Sequence, residues 1–194
     1  MKRVFLVLLI AVIAGCTAAR QSIGPVKSQD AMSASPRHLA LSCFIVDYNL
    51  LMSNLAEKGS AVMPDIDEPS RQINATNAKE YTSRLEKRKN AYDEAIIRRG
   101  FRNISGYYSA IISSGCKNIF FKEGDSTLEQ IGYTINLENG RMKHRGVVVE
   151  NVIVLEHFAL NPEVYLVGEI TDGKITLRYP QANCEINLNK IEKK

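Results

Sequence analysis

No two cysteines stand in a C-x-x-C spacing, and no histidine has a second histidine or a cysteine at metal-ligand spacing. A structural zinc site and a thioredoxin-like redox site therefore have no support. The three histidines, His38, His144 and His157, are scattered. No cofactor motif is complete. Basic residues are not clustered, and the net charge of +4 includes Lys2 and Arg3 at the extreme N-terminus. Nucleic acid binding needs a concentrated basic footprint, so that class is excluded. Beyond residue 13 the chain has no uninterrupted apolar run of the about 20 residues that a bilayer span requires.

What is present begins at the first residue. Lys2 and Arg3 precede an unbroken apolar run, Val4 to Ile13, followed by Ala14, Gly15 and Cys16. Such a run suits the hydrophobic region of a secretory signal and is too short to span a membrane. An aliphatic residue, two small residues and a cysteine at positions 13 to 16 resemble the lipobox of bacterial lipoproteins. The resemblance implies a signal peptide over residues 1–15, a diacylglycerol on the Cys16 thiol and cleavage before it. A chain carrying two or more acyl groups is held stably on a bilayer. By the same resemblance, Thr17 rather than Asp after the cysteine permits the outer membrane, facing the periplasm.

Residues 16–38 are rich in Ser, Gln, Ala and Pro, with few large apolar side chains. This composition reads as a flexible lipidated tether, reaching roughly 25 Å as a random coil. Residues 39–115 read as helical. Leu41, Phe44, Ile45, Tyr48, Leu51, Met52 and Leu55 recur at three- and four-residue steps, the mark of an amphipathic helix. Ser60 to Asn74 reads as a loop, and a charged helix over Lys79 to Arg99 shows a thin apolar stripe of Tyr81, Leu85, Tyr92, Ala95 and Ile96. Ile104 to Ile112 resumes helical spacing and predicts a third helix.

From Cys116 the pattern changes to short runs. Candidate strands are Asn118 to Lys122, Tyr133 to Leu137, Val147 to Leu155, Val164 to Thr171, Lys174 to Tyr179 and Glu185 to Leu188. Asn139-Gly140 and Asp172-Gly173 are two-residue hairpin signals. The first places Leu137 opposite Met142; the second places Ile170 opposite Ile175 and Gly168 opposite Leu177. Segregated helices and strands predict an α+β chain, with two or three helices followed by an antiparallel meander of five or six strands over residues 116–194.

Several patterns fail as catalytic sites. Ser114-Gly115-Cys116-Lys117 has the Ser-x-x-Lys form, but at a helix end and with no Ser-Asp-Asn or Lys-Thr-Gly partner. Gly168 to Ile175 nearly matches a phosphate loop, yet it lacks the hydroxyl residue after the lysine and the helix N-terminus the chemistry requires. Asp65, Asp67 and Glu68 lack the glycine and spacing of an EF-hand and read as a solvated acidic loop. Among the cysteines beyond Cys16, an oxidising compartment favours one bridge. Cys116 with Cys184 is the preferred pair, because it would staple the β segment; Cys43 with Cys116 is the alternative.

The sequence points to a non-enzymatic envelope lipoprotein, without metal or cofactor. It would be held to the lipid bilayer through Cys16 and would bind an envelope protein or a glycan. Lys87, Arg88 and Lys89 on the charged helix are the expected contact residues. The competing reading is an envelope hydrolase or glycan-modifying enzyme using distant residues such as Glu150, Glu156 and His157. A third, a small-ligand carrier, would need a large apolar cavity between helices and sheet.

Overall fold

The computed structural model describes residues 26–59, 62–65, 68, 70–116, 121–156, 165–179 and 183–192. The signal region with Cys16, and also Asp67, Lys117 and His157, lie outside them.

The first helix, α1 (Pro36–Glu57), starts where Ser35 accepts a hydrogen bond from the His38 N–H at 3.2 Å and Pro36 occupies the first turn. Both are favoured there: the hydroxyl satisfies a free amide, and proline has no amide to leave unpaired. The second helix, α2 (Ala78–Arg99), buries the narrow stripe the sequence predicts: Tyr81, Leu85, Tyr92, Ala95 and Ile96. Between them two short strands, β1 (Met63–Pro64) and β2 (Gln72–Ile73), pair antiparallel. Val26 to Ala34 does not hang free as the tether reading expects. The Val26 N–H donates to Ser42 Oγ, its carbonyl accepts from the Tyr92 hydroxyl, and Ala31 is buried.

The rest of the chain is not an open meander of five or six strands. It is a closed eight-stranded antiparallel barrel: β3 (Gly106–Ile112), β4 (Gly124–Ile131), β5 (Thr134–Asn139), β6 (Met142–Val149), β7 (Val152–Glu156), β8 (Tyr165–Thr171), β9 (Lys174–Tyr179) and β10 (Cys184–Ile191). Each strand pairs with the next, and β10 pairs with β3 to close the ring. Closure leaves no unpaired strand edge.

Three local differences add strands, while the candidate strand Asn118 to Lys122 lies mostly outside the described residues and its Phe121 and Lys122 are not in a strand. The predicted third helix is β3. Its Tyr108 and Ala110 turn inward and are buried, whereas Tyr107 and Ile111 are exposed. Bulky residues on both faces gave a spacing that fits either period. The strand β4 is mostly polar, with only Ser126 and Leu128 buried, and so carries no apolar signal. The run Val147 to Leu155 is two strands joined at Glu150-Asn151, where Glu150 takes φ 54°.

The β5–β6 hairpin also differs in register. Asn139 pairs with Met142 and Leu137 with His144, so Gly140 (φ 62°) and Arg141 form the turn. Each partner slides by two positions, which keeps every side chain on its face. The reason is the buried Asn139 amide. Its Oδ1 accepts from the Lys122 N–H, and its Nδ2 donates to the Lys122 carbonyl and to Ser126 Oγ. The β8–β9 hairpin has the expected register, Ile170 with Ile175 and Gly168 with Leu177.

Two apolar cores result. Inward residues such as Leu137, Ile153, Leu155, Leu177, Ile186 and Leu188 fill the barrel axis, as an eight-stranded barrel has room for little else. The outward residues Val147, Val149, Val152, Val154 and Val167 join α1 and α2 in a second core. Residues 146–149 of β6 and 152–155 of β7 are thus buried on both faces, which is why the run Val147 to Leu155 is so apolar. By length and composition α1 could cross a membrane, but 56% of its most apolar window is buried within the protein.

Candidate binding surface on the helical layer

The helices lie on one side of the barrel and are tied to it by polar contacts. At the C-terminus of α2, Arg99 reaches Glu150 at 2.6 Å and also donates to the Ala34 carbonyl. The Glu150 N–H donates to the Gly100 carbonyl at 3.0 Å, and its carbonyl accepts from the Arg102 N–H at 3.2 Å. These contacts hold a non-glycine residue in the left-handed region, at a conformational cost of about 1–2 kcal/mol. Glu150 is therefore a structural clasp between three segments.

Further along α2, Lys89 sits between Asp47 of α1 (3.0 Å), Asp93 (3.1 Å) and the Tyr133 hydroxyl (3.0 Å), which itself donates to Asp93 at 2.5 Å. Burial alone would lower the lysine, but the Tyr133 hydrogen bond and the Asp47 carboxylate hold its amine above the ordinary range. Burial pushes the Tyr133 phenol up, and its bond to Asp93 adds to this. Asp47 is raised by burial in spite of Lys89. Below this cluster Cys43 is buried and free, its thiol pushed up first by burial and then by Asp47. A thiol kept protonated in an apolar setting is a poor nucleophile.

The predicted contact residues do not form one patch. Lys87 is exposed, Arg88 is half-buried, and Lys89 is drawn into the cluster just described. Successive helical residues are about 100° apart, so three in a row cannot share a face. The exposed face of α2 instead carries Ser83, Glu86, Lys87, Asn90, Glu94 and Ile97. Signals were available at i, i+3, i+4 and i+7, but a mixed-charge face does not stand out from an ordinary solvated helix.

The other candidates separate as follows. Glu156 ends β7 and Glu150 lies two residues before its start, roughly 15–20 Å away by strand rise, so the two make no joint site. The Asp65 carboxylate is buried and pairs with Arg84 at 2.6 Å, which engages it structurally. Among the described residues no three His, Cys, Asp or Glu side chains converge on a metal position. Ser114 lies in a short 3-10 helix, Ser114–Cys116, and Cys116 is disulfide-bonded to Cys184 as preferred from the sequence.

His144 is inside the barrel, stacked on Phe121 at 5.2 Å with its Nδ1 3.0 Å from the Glu156 carbonyl. Burial depresses its pKa, partly opposed by that carbonyl. A folded-state value below the ordinary value of about 6.5 makes its contribution present above that pH and lost as pH falls toward the folded value. Between about pH 7.5 and 5.5, the urea midpoint of the wild type should therefore fall more than that of His144→Gln. Carboxylates titrate in both chains and cancel in the difference. Equal falls would show that His144 does not titrate on unfolding.

These features define a chain of one class: an up-and-down antiparallel barrel with a filled axis and a two-helix layer clasped to one side. Against known proteins, no family model, no curated protein and no solved structure matches it.

Proposed function

We propose that this protein is a lipid-anchored lipoprotein of the bacterial envelope that acts by binding or scaffolding rather than by catalysis. The observation that carries the binding part is the filled barrel. With its axis occupied by aliphatic side chains, recognition falls to the outer surfaces. The exposed face of α2 is the first of these. It is long and rigid, and its polar side chains are free of the barrel.

The Cys116–Cys184 bridge supports an oxidising compartment such as the periplasm. The anchor rests on the lipobox resemblance at residues 13 to 16, and the outer membrane on Thr17. The partner would be an envelope protein or glycan that meets a mixed-charge helix.

The test places a photo-crosslinking residue at Lys87 or Asn90 in intact cells, with Thr176 on the far side of the barrel as control. Adducts specific to the two helix positions, and reduced by Glu86→Lys, are expected. Equal adducts from Thr176, or none from α2, would remove the helix as the contact surface. Metabolic labelling with a fatty-acid analogue should mark the protein, and Cys16→Ser should abolish the label. Label that persists in that variant would overturn the anchor.

A further inference from the structure

The barrel end that carries the β8–β9 hairpin has a feature that neither the anchor nor the helix face explains. The strand period places Lys190 on the same face of β10 as Ile186 and Leu188, which fill the axis. A lysine thus occupies an inward register where an aliphatic residue would continue the core. Its cross-strand neighbour is the inward Tyr108. The lysine stem lies over Gly106: a Cβ built on that glycine would come 2.9 Å from Lys190 Cε and 3.5 Å from Nζ. Gly106 also takes φ 149°, a conformation that side chains rarely adopt. Both properties clear a path for the lysine to cross the mouth of the barrel.

Around it is a cavity of about 160 Å³. Ile104, Tyr108, Ile170 and Ile175 make its floor, and Arg102, Lys174 and Lys190 stand around it with a single acid, Asp172. Arg102 and Asp172 pair at 3.3 Å. Neither lysine has a carboxylate within ion-pair distance among the described residues. The mouth therefore keeps an excess of about two positive charges over an apolar floor, with Asn103 and Thr171 as further polar neighbours.

We propose that this mouth is a binding site for a compact oxyanion of the phosphate-ester class, gripped by Lys190 and Lys174 and oriented by Arg102. A phosphate group fits the donors, which are all cationic or neutral, and the floor accepts the carbon portion of an ester. Such an anion could be a soluble phosphate ester or the headgroup of an anionic lipid; the chemistry at the site is the same. The inference does not depend on the helix-face reading.

The full-length chain in neutral detergent is titrated calorimetrically with inorganic phosphate and with glycerol 3-phosphate. In parallel it is titrated in the same detergent with short-chain phosphatidylglycerol and with short-chain phosphatidylcholine. Saturable binding of the soluble anions identifies a free ligand. Binding of phosphatidylglycerol but of neither soluble anion nor phosphatidylcholine identifies a lipid headgroup. In either case Lys190→Ala should weaken binding about tenfold, the usual size of one charge-assisted contact. Lys174→Ala should act in the same direction. Gly106→Ala, which keeps every charge but obstructs the lysine stem, should also weaken binding, and thermal melts confirm that each variant is folded. No binding to any probe up to millimolar concentration overturns the site. Binding that Lys190→Ala and Lys174→Ala leave unchanged overturns it too.

Discussion

Replacing Cys116 and Cys184 together by alanine is expected to cost about 4 kcal/mol of stability, because the bridge closes a long loop in the unfolded chain. The two residues are 68 positions apart. The bridge joins the segment after β3 to the first residue of β10, the two strands whose pairing closes the barrel. Without it, closure must be found among all conformations of the intervening strands. For a protein of this size the melting temperature should fall by roughly 10 °C. Both side chains are buried, so alanine leaves little unpaired polarity behind. The check is a thermal melt of wild type and double variant with and without reductant. The gap should vanish when the wild type is reduced. A gap of only a degree or two in oxidising buffer would show that the barrel closes without help.

The second large effect is at Gly146, which faces into the barrel on β6. A Cβ there would lie 2.1 Å from the Val154 carbonyl oxygen and 2.9 Å from Leu155 Cδ2. The oxygen belongs to the neighbouring strand β7 and cannot rotate away as a side chain could. Gly146→Ala should therefore cost about 3 kcal/mol, at the upper end for overpacking. Gly59 is the comparison. It has φ 72° but nothing within 4 Å of a built Cβ, so Gly59→Ala should lose only about 1 kcal/mol from strain. Urea midpoints of the two variants separate collision from backbone strain. If Gly146→Ala is no worse than Gly59→Ala, the close strand approach is not required.

These two sites show what was legible and what was not. The bridge could be preferred from sequence because Cys116 and Cys184 bracket the β segment and the oxidising reading asked for one pair. Gly146 could not be singled out, since its neighbour Val154 approaches only after β6 and β7 fold onto each other. The same holds for the site residues. Lys87 reads as exposed from helix periodicity alone. The engagement of Lys89 by Asp47 and Tyr133 needs α1 and the β4–β5 turn to meet α2. Lys190 looks like part of a solvated tail in the sequence. Its place at the barrel mouth follows from the pairing of β10 with β3.

By itself the sequence determined the local elements: both long helices with the buried stripe of α2, the β8–β9 hairpin and its register, and the division into a helical and a β part. Each is set by contacts within a few residues, through periodicity, caps and turn residues. The tertiary structure decided that the barrel strands number eight and close, that Ile104 to Ile112 supplies a strand and not a helix, and that the paired stretches 146–149 of β6 and 152–155 of β7 are covered on both faces. Those outcomes depend on pairings between residues far apart in the chain. The free energy of closing an edge belongs to β3 and β10 together and is written in neither strand alone.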